Sequence, residues 1–369
     1  MNRFANAVIL LILAAACYGM WRMPGPDLLA SKGGARPVRA EVVSTENSSV
    51  TDHGLLRFGT QHMTVRMPDG SLRAAANELR SQAEFDKMFA PGDAALVIVP
   101  AEDDGTSPLI ARDHWRLGWT AALFGAFCLL LCVFGGWTGV KALFSFVFSC
   151  FAVWKLLIPL CLRGWSASGV AFLTVAVLTA VIMYLVAGPT RKGAAAFFGA
   201  MLGVIASLGL AQFFGHALHV SGLTMPFAQT LLYSGYSFLD LGDVFVGAIV
   251  LASSGAVMDL AMDISAGVRE VKRHIPDLPR SELFLSGLRI GRSVVGTMTT
   301  TLLLAYSGGY LTLLMVFAAQ GTAPLDFINS TLVSAEIVKT LVGSFGLVLV
   351  APFTALVSAV VYRHSEKEK

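Results

Sequence analysis

Long apolar segments dominate the chain from residue 118 onward. They follow one another with short polar interruptions, at 118–136, 142–162, 168–187, 194–215, 243–265, 294–319 and 336–361. Each approaches or exceeds the roughly 20 residues that a helix needs to cross the hydrocarbon core of a bilayer. The pattern therefore predicts seven membrane-spanning helices in this part of the chain.

A further apolar run lies at 4–21, close to the N-terminus. We predict that 1–22 is an uncleaved transmembrane anchor, which makes it the first span. Two alternatives stay open, because Ala14-Ala15-Ala16 fits the cleavage site of a signal peptide and the same alanines before Cys17 loosely match a lipoprotein cleavage site.

Between these regions, 23–117 is polar, charged and punctuated by Gly and Pro. The short runs RAEVVST, HMTVRM and AALVIVP predict strands, and Pro68-Asp69-Gly70 predicts a hairpin turn after HMTVRM. RSQAEFDKMF predicts one short helix. The predicted fold class is therefore an α-helical integral membrane bundle of about eight transmembrane helices. A small extracytoplasmic β-rich domain, either a barrel or a sandwich, lies between the first and second helices.

Two segments of the transmembrane domain at 118–362 interrupt the succession of spans. Residues 216–239 and 269–292 are both predicted to be interfacial, the second because its basic residues suit anionic headgroups. A cytoplasmic gate or a partner-docking segment is the alternative for 269–292. In the seventh span, Ser307-Gly308-Gly309 predicts a kink.

Charge sets the expected orientation. The chain is 55% hydrophobic and 14% charged, against about 25% charged residues in soluble proteins. Basic residues lie at Arg191-Lys192, within 269–292 and in the tail at 363–369, and the positive-inside rule places all three in the cytoplasm. We therefore expect a multi-pass membrane protein with cytoplasmic N- and C-termini.

Particular strings of residues resemble a known family. The segment 251–320 contains LASSGAVMDLAMDI and GLRIGRSVVGTMTTTLLLAYSGGYLTLLMVFAAQGT, and GWTGVKALFSFVFS, AGPTRKG and MPFAQTLLYSG lie upstream. With these strings the chain from about residue 118 resembles the YibE/F family of bacterial multi-pass membrane proteins. HMTVRMPDGSLRAAANEL resembles that family's extracytoplasmic domain more weakly. The resemblance implies a bacterial cytoplasmic (inner) membrane protein, described as a transporter or simply as a membrane protein.

Asp259 and Asp263 are the leading candidates for chemistry. They stand four residues apart and so share one face of the predicted sixth span, with Ser253 and Ser254 further into the membrane. A carboxylate at this depth is costly and suits a cation or proton site. The four side chains are therefore predicted to line a transport path.

A structural alternative exists for both aspartates. If the sixth span ends near residue 262, Asp263 lies among headgroups and Asp259 pairs with Arg289 or Arg292. The sequence leaves both interpretations open.

Thr297, Thr300 and Thr301 begin the seventh span from the same side of the membrane. Their hydroxyls are predicted to lie at a depth similar to that of Asp259 and to line the same path. Threonines in membrane helices also commonly bond to carbonyls of their own helix, which is the alternative for these three.

Glu336 and Lys339 are the charged candidates of the last span. Facing the bundle, they would form an outer gate or a second charge site. Their spacing of three residues equally favours an ion pair within the helix. Lys155, in the third span, is expected to extend outward to the headgroups or to neutralise Glu336.

Asp240 and Asp243 precede the sixth span and suit the capping of its N-terminus. His216 and His219 could join them in a divalent-metal site. Four possible ligands from two separate loops are weak evidence for a metal site, so we expect neither a metal ion nor a cofactor.

The motifs GxxxxGK[ST], HExxH and GxSxG are missing from the sequence, so we expect no enzyme. The basic residues cluster beside apolar segments, which argues against nucleic acid as a partner. We expect a cation- or proton-coupled transporter or permease of unknown substrate, whose partners are the lipid bilayer and a small solute or ion. The alternative is a non-transporting scaffold whose extracytoplasmic domain recruits a protein partner. A homo-oligomer is compatible with either.

Overall fold

The computed structural model of the protein describes residues 15, 17–19, 22, 34–54, 56–83 and 85–362. The chain divides into two compact units, Pro24–Phe134 and a second that joins Met1–Met23 to Gly135–Lys369. The boundary at 117/118 between the β-rich and transmembrane domains stays a prediction. The helix that begins at Leu117 runs from the first unit into the second, and Gly136, with φ of 51° and ψ of −130°, interrupts it. Most of the predicted anchor at 1–22, and the tail at 363–369, lie outside the described residues.

The strands of the first unit, between Arg36 and His114, form a β-barrel. The strands are β1 (Arg36–Glu46), β2 (Val50–His53), β3 (Leu56–Arg66), β4 (Leu72–Arg80), β5 (Ala94–Val99) and β6 (Leu109–His114). They pair in the order β1-β5-β6-β4-β3-β2, and β1 also pairs with β3. The additional pairing closes five strands into a ring, which confirms the prediction of a barrel and decides against a sandwich.

The connectivity of this barrel is specific. β1, β3 and β4 form an antiparallel meander, β4 pairs with β6 in parallel, and β5 lies antiparallel between β6 and β1. Five strands with this Greek-key order form an OB-fold. Alternate residues such as Val42, Val65 and Val97 point inward and are buried, as expected for strands with one face on a core.

The helix predicted over RSQAEFDKMF is wrong. β4 extends to Arg80, and the described residues of 81–93 form turns and loop. The buried side chain of Gln61 donates to the carbonyl of Phe89 (2.8 Å) and accepts from its N–H (3.0 Å). Asn77 donates to the carbonyl of Lys87 (2.6 Å). Because these backbone groups bond to side chains of β3 and β4, they are not available for helical hydrogen bonds.

Helices follow the barrel. The first of them begins in the first unit, and the others belong to the second. They are α1 (Leu117–Ala152), α2 (Ala167–Ala187), α3 (Arg191–Ala217), α4 (Ala228–Leu231), α5 (Leu241–His274), α6 (Arg280–Gly309), α7 (Leu311–Ala319), α8 (Pro324–Asn329) and α9 (Thr331–Val361). A π-helical turn at Val153–Leu157 and a further turn carry α1 on to Leu162.

Within the described residues, five helices are long and apolar enough to cross a membrane, or six if α6 and α7 count as one bent span. Leu117–Leu162, with 46 residues, contains both predicted spans 118–136 and 142–162. The predicted kink at Ser307-Gly308-Gly309 is confirmed, since α6 and α7 meet there at 64°.

The segment 269–292 differs from its prediction. It consists of the end of α5, a short connection and the start of α6, which then continues to Gly309 without a break. Leu283 and Gly287 are buried in the bundle. A separate interfacial helix is therefore absent from this segment.

Small residues bring the long helices together around α9, which contacts α3, α5 and α6. Gly199 of α3 lies so close to Thr354 that an added Cβ would meet its Cα at 2.7 Å. Gly203, one turn further, lies in the same way against Val350. Glycines four residues apart allow such close approach of two helices.

Candidate functional site

The antiparallel packing of α5 and α6 positions the candidate polar residues. An added side chain at Gly291 would meet Ile264, and one at Gly287 would meet Val268. Thr297 lies about one and a half turns beyond Gly291 along α6, which puts it at the level of Asp259 on α5. The structure therefore places these two candidates at the same height in the bundle.

Asp259 and Asp263 lie on the surface of the helical unit. Both are exposed, whereas the residues of α5 that enter the core, such as Val250, Val257 and Ile264, lie on its other side. Neither carboxylate has a hydrogen bond or an ion pair within the described part of the chain. In particular, Asp259 does not form the ion pair with Arg289 or Arg292 that the structural alternative required.

The surface around the two aspartates is made of small residues. Ala248, Ala252 and Gly255 are exposed and continue the line of Asp259 along α5. By contrast, α9 turns large apolar side chains outward, among them Leu341, Phe345, Val348, Leu356 and Val360. The acidic face, which we define as Ala248, Ala252, Gly255, Asp259 and Asp263, thus differs from the other outward surfaces of the bundle.

Ser253 and Ser254 are separated from this face. Their side chains are 1% and 4% exposed and donate to the carbonyls of Val250 (3.3 Å) and Leu251 (2.7 Å) on their own helix. The structure therefore brings the two serines into the packed core and leaves the aspartates outside it.

The three threonines of α6 are exposed and bond to their own helix. Thr297 donates to Val294, Thr300 to Gly296 and Thr301 to Thr297, at 2.9, 3.1 and 3.0 Å. Thr297 and Thr301 are four residues apart and share one face, and Thr300, three residues after Thr297, lies beside it. Each hydroxyl oxygen keeps a lone pair that can still accept a hydrogen bond from water or coordinate a cation.

Glu336 and Lys339 form the expected ion pair within α9, with 2.7 Å between Lys339 Nζ and Glu336 Oε1. Both side chains are partly buried. Lys155 is 8% exposed, so the expectation that it extends outward to headgroups is wrong.

The acidic residues at the start of α5 are capping groups. Asp240 accepts hydrogen bonds from the N–H groups of Gly242 and Asp243 (2.9 and 3.2 Å), which confirms the capping prediction for Asp240. Asp243 reaches the neighbouring helix, where it accepts from Ser166 Oγ (2.9 Å) and Ser168 N–H (3.2 Å) at the N-terminus of α2.

A cavity of about 400 Å³ lies beside these caps and includes His216 in its lining. His219 does not line it. In the part of the chain that the structure describes, no three His, Cys, Asp or Glu residues come close enough to hold a metal ion.

A family model described as YibE/F-like protein matches residues 123–364, which is more than half of the chain. The chain belongs to the YibE/F-like protein family. This confirms the resemblance seen in the sequence strings. The match covers the helices that carry the acidic face and leaves the barrel outside it. Neither the curated proteins nor the solved structures contain a match to the chain.

Sequence reasoning missed two features of this YibE/F-like chain. The first is the run of small residues that surrounds Asp259, which the spacing of Ala248, Ala252 and Gly255 could have signalled. The second is an apolar groove of about 420 Å³ between the end of α2 and the start of α3. The turn Gly188-Pro189-Thr190 lies between two predicted spans, and no periodic signal in the sequence marks a groove between two helix ends.

The barrel of the YibE/F-like chain presents a second exposed surface. On the outward side of β3, β4 and β6, Phe58, Leu72 and Ile110 are 60%, 59% and 59% exposed. Ala74 and Ala76 share that side of β4. Near its edge, the backbone N–H groups of Ser107 and Thr106 hold the pKa of Asp104 well below its usual range. These apolar side chains are separate from one another, because Phe58 pairs with Arg80 at one end of the β3–β4 ladder and Leu72 pairs with Arg66 at the other end.

Proposed function

We propose that the chain is a multi-pass protein of the bacterial cytoplasmic membrane that carries a cation, or a solute coupled to a cation or proton, along the acidic face of α5. The observation that supports this most directly is the placement of Asp259 and Thr297 at one level on exposed sides of adjacent helices. An unpaired carboxylate that faces hydrocarbon is costly, so these carboxylates need water or a cation beside them. Such a surrounding suits the passage of a cation.

Membrane insertion is supported by the apolar helices and by the charge distribution. Ser265 Oγ of α5 donates to the carbonyl of Lys192 (2.9 Å), so the start of α3 with Arg191 and Lys192 lies beside the basic end of α5. Two basic clusters separated by two spans, α3 and α5, thus share one end of the bundle. The positive-inside rule makes that end cytoplasmic, and Asp259 lies less than two turns from Ser265.

The path is bounded by groups that suit a hydrated cation. Small residues on α5 leave space beside the carboxylates, and Thr297 and Thr301 on α6 offer hydroxyl oxygens. α6 and α7 are bent by 64° where they meet, and broken helices are a common feature of transporters. Glu336 and Lys339 neutralise each other and are assigned to structure rather than to the path.

Flux into proteoliposomes tests this proposal. Asp259→Asn removes the charge and Thr301→Val removes a hydroxyl while keeping the shape, so both should reduce cation- or proton-driven flux severalfold. Matched controls are Asp326→Asn and Thr312→Val, which change exposed residues of α8 and α7 outside the path. If all four variants carry the wild-type flux, the path does not run along the acidic face.

A scaffold function is the second candidate, and the exposed barrel surface favours it. Phe58, Leu72 and Ile110 are exposed apolar residues on the outward side of a fold that commonly uses its sheet surface for binding. If the chain is a scaffold, deletion of residues 23–116 should abolish complementation of a strain that lacks the chain, whereas Asp259→Asn should complement fully. The reverse result favours the transporter.

A further inference from the structure

The groove between α2 and α3 has two chemically different parts. Its floor is apolar and includes Met183 and Tyr184 from α2, and Phe197 and Phe198 from α3. Its rim is the turn that ends in Thr190 and Arg191. The groove is open along one side, and its volume of about 420 Å³ is within the range of about 300–1,000 Å³ typical of small-molecule sites.

Local hydrogen bonds fix the shape of the rim. Thr190 Oγ1 donates to the carbonyl of Ala187 (3.0 Å) and accepts from the N–H of Gly193 (3.3 Å). Gly193 is buried, and an added Cβ would meet the carbonyl oxygen of Gly188 at 2.9 Å. The turn therefore holds the end of α2 and the start of α3 at a constant separation.

The rim is positively charged. Arg191 lines the groove at the start of α3, Lys192 follows it in the chain without lining the groove, and the first turn of this helix has no acidic residue. The N-terminus of a helix with 27 residues adds the positive end of its dipole. An anionic group is therefore favoured at the rim, and an alkyl chain is favoured on the apolar floor.

We infer that this groove binds one anionic phospholipid of the cytoplasmic leaflet, with an acyl chain along Met183 and Phe197 and the phosphate at Arg191. The inference rests on the proposed membrane location of the helical unit, but not on transport. An anionic phospholipid has both the charge and the chain that suit the two parts of the groove. The site would hold a bound lipid at the junction of α2 and α3.

Native mass spectrometry of the full chain, purified in detergent and mixed with phosphatidylglycerol or phosphatidylcholine, tests the site. The wild type should retain phosphatidylglycerol in preference. Arg191→Gln should reduce the retained phosphatidylglycerol about fivefold, as expected for loss of one basic contact. Ala194→Leu, which fills the groove without changing charge, should have a comparable effect.

The controls separate this site from general attraction to lipid. Arg280→Gln removes an exposed positive charge elsewhere at the same end, and Leu202→Phe enlarges an exposed residue of α3 outside the groove. Both should retain lipid as the wild type does. Equal retention by wild type, Arg191→Gln and Ala194→Leu would overturn the inference.

Free phosphate distinguishes a lipid site from an anion site. Phosphatidylglycerol should raise the melting temperature of the wild type and not that of Ala194→Leu, whereas inorganic phosphate should change neither. Equal stabilisation by inorganic phosphate would also overturn the inference. Failure of the chain to fractionate with membranes would instead count against the proposed function, so the two failures are distinguishable.

Discussion

Buried polar side chains hold the loop that follows β4. Gln61 is 0% exposed and Asn77 is 3% exposed, and Asn77 Nδ2 donates to Gln61 Oε1 (3.2 Å). Through this pair, two strands bind the backbone of Lys87 and Phe89. The amphipathic string RSQAEFDKMF has a helical pattern, but the side chains that capture its backbone lie elsewhere in the sequence.

Replacing Gln61 tests this account at the level of one residue. Gln61→Leu leaves the buried N–H and carbonyl of Phe89 without partners, which should lower the free energy of unfolding of the barrel by roughly 2–4 kcal/mol. The change is measured by urea unfolding of the full chain in detergent, with amide hydrogen exchange of residues 81–93 as the probe. Gln82→Ala, a neighbouring exposed glutamine, should change it little. Equal stability of the two variants would contradict the role of Gln61.

Helix packing depends on where glycine lies on the helix, and less on how much glycine the helix contains. Gly199 and Gly209 both belong to α3. An added Cβ at Gly199 would collide with Thr354, whereas at Gly209 it would meet nothing within 4 Å. The same sequence therefore contains one glycine that is required for contact with α9 and one that is not.

This contrast gives a matched prediction for the helical unit. Gly199→Ala should lower the free energy of unfolding by about 1–3 kcal/mol through overpacking. Gly209→Ala should leave it unchanged or raise it by up to about 1 kcal/mol through helix propensity. Thermal unfolding in one detergent compares them. A lower melting temperature for Gly209→Ala than for Gly199→Ala would refute this packing argument.

Apolar length located most elements correctly. The span predicted at 168–187 is α2 (Ala167–Ala187), and the one at 194–215 is α3 (Arg191–Ala217). When a continuous apolar run is bounded by Gly, Pro and charged residues, little choice remains for the residues at which the helix begins and ends. The connection between the sixth and seventh spans was harder, since the basic amphipathic string at 280–292 has the same pattern whether it lies on a membrane surface or begins a long helix.

At the scale of the whole molecule, the acidic face is the surface that most needs an explanation. Its small residues would allow close approach of another helix, and its carboxylates need water, a cation or protein beside them. Copies inserted in one membrane share an orientation, so a two-fold interface would set Gly255 opposite its own counterpart. A homo-oligomer would in this way enclose the proposed path.

Disulfide cross-linking tests the oligomer. In a background with the five native cysteines replaced, Gly255→Cys should form a covalent dimer in oxidised membranes. Leu341→Cys, on the outward side of α9 at about the same level, should not, because its surroundings suit lipid. If Gly255→Cys stays monomeric while Leu341→Cys forms dimers, the interface lies on α9 and the acidic face is open.

The sequence by itself determined that long apolar helices follow a β-rich region, the places of most of those helices, the strands β1, β3 and β5, and the two aspartates on one side of α5. These follow from local pattern, because apolar length and residue spacing depend only on neighbours in the chain. Tertiary structure alone decided that the aspartates face outward while Ser253 and Ser254 face the core. Almost every side of α5 is apolar or small, so only contact with α2, α3, α6 and α9 establishes which side is covered.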